Sequence, residues 1–334
     1  MEQPIPVAAD PVSLRAALRA FHEVSPARSW RELCLALGLL ALVWPLLWVD
    51  LPLGLRLLLA PVVAGLMLRL CSLGHDHTHG AILRGSALAR WVVQGVGLIV
   101  LAPPRIWADT HHAHHARTAA LGEPAVGSFP VWTRKEYQEA SPAARLGYRL
   151  ARSPLLMLLG WPLVFVLGLN LLPALGRPAR YWTSLLALLV HLGLNLAAWR
   201  VGGALTWAVA VALPYGLLAA AGSWLFYVQH NFPGARWFSA EDWRFEPAAL
   251  HGSSYLELPG WLGWLAGNIH YHHVHHLDAR VPFYRLPEAF AALPGLRRDP
   301  DLEWSVAGLL GVHALAVWHE GEGRWLTWSE LREC

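Results

Sequence analysis

GNIHYHHVHHLDAR, residues 267–280, holds five histidines in seven residues: His270, His272, His273, His275 and His276. The run lies inside the chain, so it is not a terminal purification tag. It follows WLGWLAGN, residues 261–268, and a solvated low-complexity tract would not sit beside such tryptophans and glycines. Two more clusters share its character: HDHTH at 75–79 and HHAHH at 111–115. Together the three hold twelve of the 18 histidines.

Positions i, i+3 and i+4 share one face of a helix. His75 and His79 therefore point together, as do His111, His114 and His115, and His272, His275 and His276. His230, in FYVQHNF at 226–232, adds a ninth imidazole. Eight or nine neutral imidazoles exceed what one ion of four to six ligands can use, and they suit two ions. Imidazole nitrogen suits iron, zinc, copper or nickel, and spacing does not choose among them. His77 and His112 point off their partners' faces and read as supporting or solvated residues. His270 and His273 share an i, i+3 face of their own, which leaves a competing register open. His22, His191, His313 and His319 stand alone and read as surface or satisfied core residues.

The rest of the chain frames these clusters with apolar sequence. Of 334 residues, 55% are hydrophobic and only 15% are charged, against about a quarter charged in soluble domains. The net charge of +3 is small, so nucleic acid is not the obvious partner. Lys135 is the only lysine. The cysteines Cys34, Cys71 and Cys334 form no CxxC pair. That excludes a disulfide framework, a zinc ribbon and a cysteine-ligated iron–sulfur cluster. Any electrons must then come from another protein. The opening MEQPIPVAADPVSLRAALRAFHEV lacks the basic start and short apolar core of a signal peptide.

Apolar runs at 33–49 and 53–73 read as a transmembrane hairpin around the tip DLP at 50–52. Arg56 and Arg69 lie near the ends of the second run, where they are expected to snorkel. The run 91–102 is too short to span and reads as interfacial. The run 154–172, broken by Gly160, Pro162, Gly168 and Asn170, reads as re-entrant or interfacial. Arg134, Lys135, Arg145, Arg149 and Arg152 precede it, and Arg177 and Arg180 follow. By the positive-inside rule both flanks are cytoplasmic. Runs 183–199 and 204–228 form a second hairpin around RVGG. The expected fold is all-α and integral to the membrane: four transmembrane helices in two hairpins, interfacial or re-entrant helices, and a cytoplasmic histidine-rich cap. The chain reads as a single domain over 1–334. It divides into an N-terminal segment 1–32, hairpin 33–73, a stretch with the first two boxes 74–182, hairpin 183–228 and cap 229–334.

The motifs resemble those of the membrane fatty acid desaturases, and most closely the bacterial and cyanobacterial acyl-lipid branch related to the omega-6 (Δ12) enzymes. GHDHTHG at 74–80 resembles the family's first box, and WADTHHAHHARTAALGE at 107–123 the second, with Trp107 four residues before His111. FYVQHNF resembles the segment whose histidine completes the metal site. LHGSSYLELP at 250–259 and GNIHYHHVHHLDARVPFYRLPEA at 267–289 resemble the third-box region, and LAVWHEGEGR at 315–324 the C-terminal segment. The departures are His270, the added His77, and NFPGARW after His230, which lacks an acidic residue common in relatives. No segment resembles a fused cytochrome b5 domain.

The resemblance implies an oxygen-dependent enzyme with two irons. The metal ligands would be His75, His79, His111, His114, His115, His230, His272, His275 and His276, with no catalytic residue beyond them. Removing two hydrogens from an unactivated methylene pair needs an oxidant stronger than any side chain, which a reduced di-iron centre forms from O₂ and two electrons. Asp76, Asp109 and Asp278 stand near the boxes and could fix imidazole tautomers. Trp224, Tyr227, Trp261 and Trp264 are candidates to line a channel for the acyl chain. The expected partners are a lipid-linked acyl substrate, O₂, membrane lipid, and an external donor such as a ferredoxin with its reductase. The expected location is a bacterial inner membrane with the site facing the cytoplasm. A hydroxylase, ketolase or acetylenase would share these boxes. A metal transporter would instead place its ligands within the spans.

Overall fold

The computed structural model describes residues 10–123 and 129–333. The first nine residues of the N-terminal segment and Cys334 lie outside the described residues. Among the described residues, three helices are long and apolar enough to cross a membrane: Pro26–Leu47, Leu53–Thr78 and Trp182–Val228. The first starts seven residues before the apolar run because Ser25 caps it: the Ser25 hydroxyl accepts from the Arg28 N–H, and Pro26 takes the first helical position. The second continues past its apolar run, so that its last turn carries His75.

The third helix is not one rod. Forty-seven residues would make about 70 Å of straight helix, over twice the bilayer core of ~30 Å. The Trp207 indole N–H donates to Asn195 Oδ1 at 2.8 Å. Twelve residues of straight helix would set these groups ~18 Å apart. The chain reverses at Gly202 and Gly203, the latter at φ 62°. A Cβ on Gly202 would lie 2.0 Å from Thr206 Oγ1, so the turn takes glycine there. The two halves are spans 3 and 4, and with spans 1 and 2 they make the expected two hairpins.

Arg56 and Arg69 do not snorkel; both are buried, at 3% and 1% exposure. Arg56 donates to Leu47 O at 2.7 Å and to Thr206 Oγ1 at 2.9 Å, which ties the tips of the hairpins together. Arg69 pairs with Glu32 on span 1 at 2.7 Å and lies 4.2 Å over the Trp264 ring. A buried charge stripped of its partner costs about 3–5 kcal/mol, so the pair holds span 1, span 2 and the cap in register. Hydropathy alone misses this, because each arginine's partner is remote in sequence.

Between the hairpins, helix Ala87–Ile99 meets helix Pro104–Ala116 at 89°. The segment at 154–176 contains short helix Pro154–Leu158 and a wide π-helical stretch, Trp161–Leu171. Both of its flanks reach the histidine end of the molecule. Arg152 donates to Asn231, next to His230, and Arg180 pairs with Asp109 on the second-box helix. The segment therefore enters and leaves on one side, as a re-entrant or interfacial segment does. The cap departs from an all-α fold in one place. Strands Leu315–His319 and Arg324–Thr327 pair antiparallel, and they turn at Gly323, φ 60°. These strands include LAVWH, whose Leu315, Val317 and Trp318 are buried.

Candidate metal centre

Four elements deliver the histidines. The last turn of span 2 and the residue after it place His75 and His79. Helix Pro104–Ala116 places His111, His114 and His115. His230 follows the end of span 4, and helix His272–Leu277 carries His272, His275 and His276. The third box docks on the first through a glycine. Gly267 sits at φ 62°, and a Cβ there would lie 2.6 Å from Ser72 Cβ. Ser72 Oγ donates to Ala266 O at 3.0 Å beside it.

The nine imidazoles gather into two groups. One is His75, His79, His111, His115 and His275; the other is His114, His230, His272 and His276. Within each group the ring nitrogens lie within 4.8 Å of one another, so each group could hold one metal ion. His111 Nε2 is 3.0 Å from His115 Nε2, and His115 Nε2 is 3.1 Å from His275 Nε2. His230 and His272 also approach Nε2 to Nε2, at 3.1 Å. Two ligands at right angles, each ~2.1 Å from a shared ion, stand ~3.0 Å apart.

The boxes do not map one to a group. His111 and His115, four apart, face the first group, while His114 between them faces the second. The third box reverses this: His272 and His276 face the second group and His275 the first. One helical turn therefore serves both groups.

The far ring nitrogens fix several tautomers. The Thr118 hydroxyl donates to His114 O at 2.9 Å, so its lone pair accepts from His276 Nδ1–H at 2.9 Å. His230 Nδ1–H donates to Gly252 O at 2.8 Å. Both leave Nε2 bare toward the group. His75 Nδ1 meets Asp76 Oδ1 at 3.3 Å, and Asp76 Oδ2 accepts from the Phe283 N–H at 2.6 Å. The other two candidate acids are engaged elsewhere. Asp109 binds Arg180 and Tyr181. Asp278 binds His22 Nε2 at 2.7 Å. Thr118 and Gly252 escaped the sequence reading because neither a hydroxyl nor a backbone carbonyl leaves a motif.

Burial, then neighbouring imidazoles, holds His111, His114, His115, His272, His275 and His276 well below the ordinary histidine pKa. The same causes push His79 down to about 2, and burial takes His230 to about 4. All are neutral at pH 7, the form that binds metal. His79, His114 and His276 each bury an Nε2 with no hydrogen-bond partner.

The other histidines stand apart from the groups. His77 Nδ1 faces Ile82 O, and His273 Nε2–H donates to Leu296 O at 3.0 Å. His270 is buried against Gly263, and His112 is exposed. Mid-span His191 accepts from the Trp161 indole N–H at 2.9 Å.

An apolar cavity of about 430 Å³ reaches the first group at His111, with Trp107, Phe165 and Phe226 in its wall. A smaller one of about 70 Å³ shares those four residues and adds His75 and His272. Trp107 stacks on His111 at 5.4 Å, and Phe226 sets its edge against Trp107 and His114. None of the four channel candidates lines either cavity. Trp224 donates to Leu309 O, Tyr227 stacks on His313, Trp261 is exposed, and Trp264 covers Arg69. On span 4 the cavity face is Leu218, Gly222, Phe226 and Gln229, a 3.6-residue stripe. Trp224 and Tyr227 fall off that stripe.

A family model described as fatty acid desaturase matches residues 51–307, which include all nine histidines. The chain is 30% identical over 294 residues to a fatty acid desaturase of Bacillus subtilis, covering 87% of this chain and 83% of that one. It is 25% identical over 232 residues to an sn-1 acyl-lipid omega-3 desaturase (ferredoxin) of Synechocystis sp., covering 66% of this chain and 62% of that one. It is 23% identical over 294 residues to an sn-1 oleoyl-lipid 12-desaturase of Picosynechococcus sp., covering 82% and 79%.

Proposed function

Because the chain belongs to the fatty acid desaturase family, we propose that this integral membrane desaturase puts a cis double bond into a lipid-linked acyl chain. The proposed position is Δ12 or omega-6-like, and the eight box histidines together with His230 hold two irons. One observation carries the reading: two groups of imidazoles stand side by side, and the first opens at His111 into an apolar cavity. Imidazole suits iron, and the buried, unpartnered Nε2 atoms of His79, His114 and His276 fit a ligand role. Bound irons, given O₂ and two electrons, supply an oxidant able to take hydrogen from a methylene group. The overall change is one CH₂–CH₂ unit, O₂, two electrons and two protons to one CH=CH unit and two waters.

The chain's own residues do the positioning. Trp107, Phe165 and Phe226 form an apolar passage at His111, which excludes water and holds an acyl chain against the first group. Thr118 and Gly252 keep His276 and His230 bare at Nε2. Asp76 orients His75. Two relatives are named with ferredoxin. A ferredoxin or similar donor with its reductase is proposed as the electron source. The proposed location is a bacterial inner membrane with the histidine end on the cytoplasmic side, a reading the arginine-rich flanks of the 154–172 segment support.

The test is a fatty acid profile from an aerobic bacterial host rich in monoenoic chains, supplied with a ferredoxin and reductase. Mass spectrometry with double-bond location should find a new diene that is absent with His275→Ala. An oxygenated product would replace the reading with a hydroxylase. Wild-type yield from His275→Ala would remove the ligand assignment.

A further inference from the structure

A third cavity, of about 270 Å³, lies on the other side of the 151–156 segment from the larger apolar one, and its character is opposite. Arg149, Arg152 and Arg332 line it, with Ser153, His313 and Trp328. Arg152 is 2% exposed, yet it makes no ion pair; it donates to Pro130 O, Asn231 Oδ1 and Leu315 O. Its buried Nε has no partner. Arg149 donates Nε to the Tyr137 hydroxyl at 2.7 Å and lies 5.3 Å over the Trp328 ring. Among the described residues, no carboxylate pairs with any of the three arginines. Glu330, two residues from Arg332, is held by Arg324 at 2.8 Å and by Thr327. Glu136 is committed to Thr133. A concave site with three unneutralised guanidinium groups, one of them buried, is built for a multiply charged anion.

Its position says which anion. Ala151 and Leu156 line the apolar cavity, while Arg152, Ser153 and Pro154 line the cationic one. Pro130, whose carbonyl accepts from Arg152, lines the apolar cavity too. Leu146, Leu150, Leu155 and Leu158 around this segment are all at least half exposed, as expected of a surface at the membrane boundary. A molecule filling both cavities has an apolar tail and an anionic head a few residues' width apart. We propose that Arg149, Arg152 and Arg332 bind the phosphate of an acyl substrate whose chain occupies the cavity beside His111. The inference rests on the proposed acyl role of that cavity. It adds that the carrier bears phosphate, as in a glycerophospholipid or coenzyme A.

The test is equilibrium binding to the purified full chain in detergent, followed by native mass spectrometry. Three probes share the oleoyl chain: dioleoylphosphatidylglycerol, oleoyl-coenzyme A and dioleoylglycerol. At least one phosphate probe should bind roughly ten-fold tighter than dioleoylglycerol. The exposed pair Arg149→Gln/Arg332→Gln should erase that preference and leave dioleoylglycerol affinity in place. The phosphate probe that loses affinity identifies the carrier. A preference that survives the double variant overturns the site. So does a double variant that binds lipids as before but loses affinity for a ferredoxin, since the arginines would then serve protein docking. Loss of dioleoylglycerol binding itself on Phe226→Trp, which fills the cavity, shows that the acyl reading stands independently. Unchanged dioleoylglycerol binding in Phe226→Trp removes the acyl reading and, with it, the coupled proposal.

Discussion

The two histidine groups use the same ligand chemistry and differ in what surrounds them. The five-histidine group meets both apolar cavities, through His111 and His75, and its tautomer support includes the carboxylate of Asp76. The four-histidine group touches only the smaller cavity, through His272, and leans on neutral partners, Thr118 and the Gly252 carbonyl. One site is open toward the larger apolar cavity and backed by an acid. The other is enclosed by the cap and backed by dipoles. Since the second and third boxes each serve both groups, the difference does not come from the boxes. It comes from what packs behind and in front of them.

The largest effect should follow from removing a ligand unique to one group. His79→Ala and His276→Ala are both expected to abolish desaturation, while metal analysis separates them. Each purified variant should keep the ion of the untouched group, so iron per chain falls from about two to about one. Loss of both ions from either variant would mean that the shared helices make one cooperative site, and the contrast between groups would lose its meaning.

A smaller effect probes the supports. Removing a partner of a ligand imidazole typically costs 10–100-fold in metal affinity. Thr118→Val leaves His276 Nδ1–H without an acceptor and should weaken the four-histidine site by about that factor. Asp76→Asn should weaken the five-histidine site in the same range. Chelator titrations that follow the two ions separately would check both. Equal weakening of both sites by Thr118→Val would show that the hydroxyl supports the whole cap, not one ligand.

These supports also mark where the sequence stopped being informative. Spacing fixes angles around one helix, so His111, His114 and His115 were legible as a convergent set. Which group each faces depends on the neighbouring helices, and spacing holds no information about them. Thr118 reaches His276 across 158 residues and Glu32 reaches Arg69 across 37, so neither contact leaves a local pattern. Hydropathy found both hairpins, because the apolar runs and the Gly202–Gly203 turn are local. It placed Arg56 and Arg69 at the lipid boundary, where the structure buries them against carbonyl, hydroxyl and carboxylate groups. The channel candidates Trp224, Tyr227, Trp261 and Trp264 come from SWLFYVQH and WLGWLAGN, the aromatic stretches beside the histidines. Helical phase put Phe226 on the cavity wall instead, and reading phase requires knowing which face of span 4 meets the site.

The smallest predicted effect is a pH dependence, and it separates the two groups from the histidines that belong to neither. Burial pushes His273 down to about 3 and His270 to about 4, against about 6.5 in an unfolded chain. His230 and His79, inside the groups, are lowered for the same first reason, to about 4 and about 2. Below pH ~6.5 the unfolded chain binds protons that the folded cap refuses. Stability is therefore fully present above that pH and falls as acid is added, down through the folded values. Each such histidine steepens the fall by about 1.4 kcal/mol per pH unit within its window. Thermal melts of chelated protein, followed by tryptophan fluorescence from pH 8 to pH 4, should show the decline beginning near pH ~6.5. Bound iron keeps the imidazoles of the two groups unprotonated in the folded state while the unfolded chain still takes up protons, so loaded protein should be the more stable form near pH 8 and should fall at least as steeply as acid is added. His273→Gln removes a buried histidine that belongs to neither group and should flatten the decline in both forms. A decline that His273→Gln leaves unchanged would show that the cap's acid response comes from the two groups alone.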